Sequence, residues 1–152
     1  MPSARVGSTA RALDLAARLV AAAGLAVDAY VHAKLADQYD AVSADISQGT
    51  LFRIEAGLAS FAALLILVWW RPLSSALAWL VAAGGLFALM LYRYVNVGAH
   101  GPFPNMYEPV WFYDKKLAAW SQIVTIVMAT GLLIRWYVTR LRTRHADAST
   151  LR

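Results

Sequence analysis

The sequence predicts an all-α membrane protein, a four-helix transmembrane bundle with up-down-up-down topology. Of its 152 residues, 60% are hydrophobic, and the mean hydropathy is +0.51, whereas soluble domains are typically ~45–50% apolar. The apolar residues are concentrated in four blocks, as in polytopic membrane proteins. These blocks lie at about residues 10–35, 51–70, 73–94 and 117–137. The length predicts a single integral membrane domain over residues 1–152.

The first block, residues 10–35, is the most polar of the four. Its charged residues are Arg11, Asp14, Arg18, Asp28 and Lys34. Asp28 and His32 are four positions apart and so share one helical face. A cleaved signal peptide is an alternative interpretation, because a basic leader precedes a short apolar core, and cleavage would leave three spans.

The second block has the order expected of a single membrane crossing. Residues 46–71 begin with small polar residues and are uncharged from residue 56 to residue 70. They end with an aromatic belt and a basic anchor, formed by Trp69, Trp70 and Arg71. Asp45 followed by Gln48 fits a capping box, which predicts an early start of this helix.

A very short connection at Arg71 and Pro72 predicts that the second and third helices are antiparallel neighbours, since proline suits the first turn of a helix. The third block has one side of small residues, which favours close helix packing in lipid. These residues are Ser74, Ser75, Ala76, Ala78, Ala82, Ala83, Gly84 and Gly85.

The longest connection, residues 95–116, is rich in proline and aromatic residues. It is too apolar for a freely solvated linker, so we expect it to fold over the outer end of the bundle or lie in the headgroup layer. Tyr107, Glu108 and Trp111 are its candidate outer lid. After the fourth block, residues 138–152 form a basic tail expected in the cytoplasm.

The charges predict the orientation. With both chain ends on one side, that side holds two acidic residues against nine basic ones, namely Arg5, Arg11, Arg18, Arg71, Arg135, Arg140, Arg142, Arg144 and Arg152. The other side holds five basic and seven acidic residues. The positive-inside rule therefore places both termini in the cytoplasm. The net charge of +5 follows this sorting, so the predicted partner is the lipid bilayer rather than nucleic acid.

Several kinds of chemistry are excluded or lack a signature. The chain has no cysteine, which excludes disulfides, thiolate nucleophiles and cysteine-ligated metals. No phosphate-binding glycine loop, nucleophile elbow or Ser/His/Asp arrangement is present. The sequence thus predicts no catalytic residue and no metal site, and it identifies no cofactor.

A charged cluster is predicted in the outer half of the bundle. Its members are Asp28, His32, Arg53, Glu55 and Arg93. Charges within a span are costly, so each should face the bundle and have a partner. We expect Glu55 to point inward, toward Arg93 or His32, and Arg53 to reach Asp28 or extend outward. Three interpretations stay open: a structural salt-bridge network, a ligand-binding site, or metal or proton chemistry that also involves His100.

Two stretches carry a resemblance to known proteins. Residues 46–57, ISQGTLFRIEAG, and residues 101–111, GPFPNMYEPVW, resemble an uncharacterised family of small four-span membrane proteins from high-GC Gram-positive bacteria. A weaker resemblance, through Glu55-Ala56-Gly57, is to the DoxX-like membrane proteins, and it implies membrane oxidoreductase, thiosulfate or quinone chemistry. Residues 27–34, VDAYVHAK, depart from the usual end of the first DoxX-like helix.

Three functional hypotheses follow. The first is a non-enzymatic accessory or interaction component of a bacterial cytoplasmic membrane, whose partner is another membrane protein or a second copy. The second is a ligand-binding or transport protein that uses the charged cluster. The third, implied by the DoxX-like resemblance alone, is a component of a membrane oxidoreductase system.

Overall fold

A computed structural model describes the backbone of residues 3–150 and the side chains of residues 7–144. This part of the chain is all-helical, as predicted, and contains four long helices. They are α1 (Ser3–Ala36), α2 (Gln48–Val68), α3 (Pro72–Tyr94) and α4 (Tyr113–Thr150). A short 3-10 helix, Asp37–Tyr39, follows α1.

Three helices are long and apolar enough to cross a membrane: α2, α3 and the Tyr113–Arg144 part of α4. Within the described residues, α1 does not meet the same criterion of length and hydropathy, because charged residues interrupt its apolar stretch. The helix α4 continues through residues 138–150, where the sequence predicted a tail. No proline or glycine follows Gly131 to end it.

Side chains from all four helices form one alanine-rich core cluster. Its buried members are Ala21, Ala22, Leu25, Ala29, Ala59, Ala62, Ala63, Ile66, Ala78, Val81, Ala129 and Leu132. The helix α1 packs against α2 and α4, while α3 packs against α4 and α2. Small side chains let helix backbones approach closely, which is the main source of packing energy between helices in lipid.

The tight α2–α3 connection is closed by a serine. Pro72 occupies the first turn of α3, and the buried Ser74 hydroxyl donates to the carbonyl of Trp69 at 2.7 Å or to that of Arg71 at 2.8 Å. Both carbonyls also accept a backbone amide, from Arg71 and from Ser74 respectively, so the hydroxyl adds to hydrogen bonds that already close the turn. The connection therefore returns the chain antiparallel to α2 within three residues.

Two charged residues in the first half of α1, Asp14 and Arg18, contact neighbouring helices. Arg18 is only 6% exposed, and its Nη1 donates to the Ile66 carbonyl at 2.9 Å. Its guanidinium group also lies 4.9 Å from the ring centroid of Trp70. Ile66 is in the last turn of α2, where the helix dipole favours a cation. Asp14 pairs with Arg135 of α4 at 3.3 Å.

At the opposite end, two connections contact one another. We call this the loop side, since it holds the α1–α2 and α3–α4 connections. The Ile46 amide donates to the Pro102 carbonyl at 3.0 Å. The predicted capping box at Asp45 is wrong: Ser47 is the N-cap of α2, and its hydroxyl accepts from the Thr50 amide at 3.0 Å.

The closest approach of α1 to α4 yields a stability prediction. A Cβ atom at Gly24 would lie 2.9 Å from the Ser121 carbonyl oxygen and would also meet the Thr125 hydroxyl. Gly57 has open space at the same position. We expect Gly24→Ala to be less stable than Gly57→Ala by about 1–3 kcal/mol, a typical effect of overpacking. Both substitutions gain the same helix propensity, so the comparison isolates the packing.

Reversible unfolding of both variants in one mild detergent measures this difference. Equal stability of the two alanine variants would show that α1 and α4 do not approach as closely as the structure indicates.

Candidate functional site

A cavity of about 340 Å³ lies on the loop side, between the helices. This volume is within the ~300–1,000 Å³ range of ligand pockets. The walls of this loop-side cavity are mainly apolar and aromatic, and its polar and ionisable lining residues are His32, Tyr39, Gln48, Glu55, Tyr92, Glu108 and Lys115. A mostly apolar pocket with a few polar groups is the usual form of a small-molecule site.

Asp28 lies behind one wall of the cavity and is 0% exposed. Its Oδ1 accepts a hydrogen bond from Gln122 Nε2 of α4 at 2.8 Å. His32 Nδ1 lies 3.2 Å from Asp28 Oδ1 and 3.0 Å from the Asp28 carbonyl oxygen, as the four-residue spacing allows. His32 also lines the cavity, with its ring edge-to-face on Phe52 at 5.2 Å. Asp28 thus links α1 to α4 and orients a cavity-lining histidine.

Glu55 enters the cavity from α2 and lies close enough to Asp28 and His32 to interact with both. It occupies space that is left by Gly85 of α3. A Cβ atom at Gly85 would lie 2.8 Å from Glu55 Oε1 and 2.5 Å from Gln122 Nε2. The glycine therefore allows side chains from α2 and α4 to meet over α3.

Three buried acceptor oxygens in this region have no hydrogen-bond partner among the described residues. They are Asp28 Oδ2, Glu55 Oε1 and Gln122 Oε1. A buried polar atom without a partner costs roughly 1–3 kcal/mol, more when charged, so such atoms are rare in structural networks. Only Glu55 of these three residues lines the cavity, while Asp28 and Gln122 are packed behind its wall, 0% and 1% exposed. The cavity therefore offers a bound group the carboxyl group of Glu55, with two further buried acceptors behind it.

The two arginines of the predicted cluster lie elsewhere. Arg53 extends outward and binds Asp37 at 2.7 Å and Asp40 at 2.7 Å. The guanidinium of Arg93 lies 5.0 Å from the ring centroid of Tyr94 and 5.5 Å from that of Trp111. The structure therefore brings together Asp28, His32 and Glu55, but not the arginines.

The candidate lid residues have three different positions. Glu108 lines the cavity, and its amide donates to the Tyr92 carbonyl at 3.0 Å. Its own carbonyl accepts from Lys115 Nζ at 2.6 Å. Trp111 contacts Arg93 instead, while Tyr107 is exposed. Only Glu108 of this set borders the loop-side cavity.

Sequence reasoning missed Gln122, Lys115 and the aromatic walls of the cavity. Gln122 carries a usable signal, because it lies within an apolar span with Ser121 and Thr125, and polar residues within spans usually face other helices. In the sequence, nothing distinguishes Lys115 from other lysines near the start of a helix. Its contact with Glu108 depends on how the α3–α4 connection folds.

A metal centre is not supported by the side-chain arrangement. Within residues 7–144 no group of three or more His, Asp or Glu side chains is arranged to hold a metal ion. His100 lies in an exposed turn, where its amide donates to the Phe103 carbonyl at 3.0 Å.

Comparisons of this chain with protein-family models, curated proteins and solved structures gave no match. The resemblances to the four-span family and to the DoxX-like proteins therefore stay predictions.

The Arg53 contacts predict an acid-dependent change in the α1–α2 connection. Hydrogen bonds from Arg53, and then from Ser47, lower the pKa of Asp40 from 3.8 to about 2. A lowered folded-state pKa stabilises the connection above the unfolded pKa, and this contribution is lost as the pH falls through the folded value. We expect Asp40 to titrate near pH 2 and the connection to loosen as the pH falls from the ordinary to the lowered pKa.

Carbon-13 NMR of the Asp40 carboxyl group in detergent micelles measures this pKa, with Arg53→Gln as the comparison variant. Removing the guanidinium should move the Asp40 pKa upward toward its ordinary value. An Asp40 titration that is the same in both proteins would contradict the role given to Arg53.

Proposed function

We propose that this protein crosses a bacterial cytoplasmic membrane four times and binds a small ligand in the loop-side cavity, which faces the cell exterior. The observation that carries this proposal is the set of three unpartnered acceptor oxygens beside an apolar cavity in the described part of the chain. Of the three hypotheses from the sequence, ligand binding or transport is the one that this geometry favours.

Burial of the charges on α1 supports a fourth span. Arg18 and Asp28 are both buried against other helices and bonded to them. The exposed side chains of α1 include large apolar ones, namely Leu13, Leu15, Leu19, Val20 and Tyr30. A helix that presents leucine outward and bonds its ions inward suits lipid better than its average hydropathy suggests.

The charge distribution supports the orientation. Basic residues dominate the side of the chain ends, and acidic residues are more frequent in and near the loop-side connections. The positive-inside rule then places the termini in the cytoplasm and the mouth of the cavity outside. The α1–α4 and α2–α3 contacts are compatible with an up-down-up-down bundle.

The positions of the arginines argue against a purely structural network. Such a network would pair Glu55 with a nearby cation, and Arg93 or His32 was the expected partner; His32 lies close enough to interact, but no hydrogen bond joins it to Glu55 among the described residues. Instead Arg93 lies against two aromatic rings, while Glu55 Oε1 has no partner in the described part of the chain. A carboxylate that is held at a cavity without a bonded cation is better suited to binding than to fixing helix register.

The orientation can be tested with single cysteines, since the natural chain has none. Val110 and Arg142 are exposed side chains at opposite ends of the protein. We expect Val110→Cys to react in intact cells with a membrane-impermeant maleimide, and Arg142→Cys to react only after lysis. The reverse pattern would place the cavity mouth in the cytoplasm.

Access from water to the cavity can be tested at two adjacent positions of α3. Ala88 lines the cavity, whereas Phe87 is an exposed apolar side chain that would face lipid. In intact cells we expect a charged methanethiosulfonate reagent to modify Ala88→Cys at least about tenfold faster than Phe87→Cys, because a charged reagent enters water-filled cavities but not hydrocarbon. Similar, very slow rates at both positions would overturn the proposed binding site.

A further inference from the structure

We infer that the loop-side cavity binds a small organic cation, a protonated amine on an apolar body, with its ammonium group at Glu55. This inference rests on the proposed function and adds the chemical class of the ligand.

The first argument is hydrogen-bond chemistry. Asp28 Oδ2, Glu55 Oε1 and Gln122 Oε1 are all acceptors without partners among the described side chains. Two neighbouring nitrogen atoms are directed at Asp28 rather than at Glu55, because Gln122 Nε2 donates to Asp28 Oδ1 and His32 Nδ1 lies 3.0 Å from the Asp28 carbonyl oxygen. An ammonium group carries up to three donors and no acceptor. It therefore complements this set, whereas a carboxylate or phosphate would add further acceptors.

The second argument is the charge around the site. Two ionisable side chains line the cavity floor, His32 of α1 and Glu55 of α2. Asp28 of α1 lies behind the wall, close enough to interact with both. Two carboxyl groups thus face a single imidazole. The α3 wall supplies only the phenol of Tyr92 among the described residues. A cationic ligand would balance this acidic floor, and at low dielectric such a pairing is stronger than in water.

The mouth of the cavity has one cation among its described lining residues, Lys115 of α4. Its Nζ donates to the Glu108 carbonyl at 2.6 Å and lies 5.3 Å from the ring centroid of Phe112. The Glu108 carboxylate attracts Lys115, and the guanidinium of Arg93 repels it. Lys115 is held at the mouth by the Glu108 carbonyl, whereas the charged group that a ligand meets at the floor is the carboxyl group of Glu55.

The third argument is the shape and composition of the walls. Phe52, Phe112, Tyr39 and Tyr92 all line the cavity. Aromatic faces attract ammonium groups by about 0.5–2 kcal/mol and also bury apolar ligand surface. A volume of about 340 Å³ lies at the small end of ligand pockets, so a compact amine fits better than a lipid.

The experiment uses the full-length Ala88→Cys protein in membrane vesicles and measures the rate of thiol modification. Trimethylammonium and sulfonate methanethiosulfonates are compared, each rate being divided by its rate with a free thiol. We expect the corrected rate to be about tenfold higher for the trimethylammonium reagent than for the sulfonate reagent. This is the lower end of the range by which a charged cleft concentrates molecules of opposite charge. The amine probe is 2-phenylethylamine, which should slow modification, whereas its neutral isostere 2-phenylethanol should not.

Glu55→Gln in the same background should remove both the cation preference and the protection by the amine. Asp45→Asn makes the same change in net charge at an exposed loop residue and should retain both. The comparison of amine with alcohol needs no change at Glu55, so it holds even if Glu55→Gln folds poorly.

The possible results separate the two proposals. Equal protection by amine and alcohol, or a reactive thiol in Ala88→Cys without charge preference, would overturn the amine inference and leave the binding cavity in place. An Ala88→Cys protein that reacts with neither reagent would overturn the proposed function itself. Loss of the cation preference in Asp45→Asn as well would show that net charge, rather than Glu55, causes it, and would overturn the placement of the ammonium group.

Discussion

The burial of Asp28 is the constraint on which the rest of the structure depends. A buried carboxyl group is costly unless it is hydrogen-bonded, and Asp28 is fully buried. Its hydrogen bond from Gln122 can form only if α1 and α4 are adjacent and in one register. The close contact of Gly24 with Thr125, one turn away along α1, has the same requirement. The α1–α4 pair is therefore specified by a polar bond as well as by small side chains.

That same bond leaves the site incomplete. Gln122 and His32 satisfy Asp28 Oδ1, while Asp28 Oδ2 and Gln122 Oε1 stay without partners in the described structure. Glu55 adds a third acceptor because Gly85 leaves space for its carboxyl group. The site thus lies where four helices meet, and the two side chains of the Asp28–Gln122 bond each keep one oxygen without a partner among the described residues.

The helical fold and three membrane spans were predictable from hydropathy, because uncharged stretches of about 20 residues have few alternatives. Asp28 and His32 were predictable as neighbours, since four-residue spacing defines a helical face. The partners of Arg53 and Arg93 were not predictable. Long side chains reach in several directions, and the choice of Asp40 for one and Trp111 for the other depends on how the connections fold. Gln122 was not predicted as a site residue because it is neutral, and the predicted cluster was built from charged residues and histidine alone.

Two charged residues of α1, Arg18 and Asp28, show why counting charges along a helix is a poor guide to its environment. Arg18 is bound by the Ile66 carbonyl and the Trp70 ring, so the cation completes the C-terminus of α2. Asp28 is bound by Gln122 of α4 and by His32, one turn further along α1. Both charges therefore stabilise the packing of the helices, although both lower the mean hydropathy of α1. The polar character that keeps α1 from being apolar enough to qualify as a membrane span also brings ionisable side chains into the contacts between the helices.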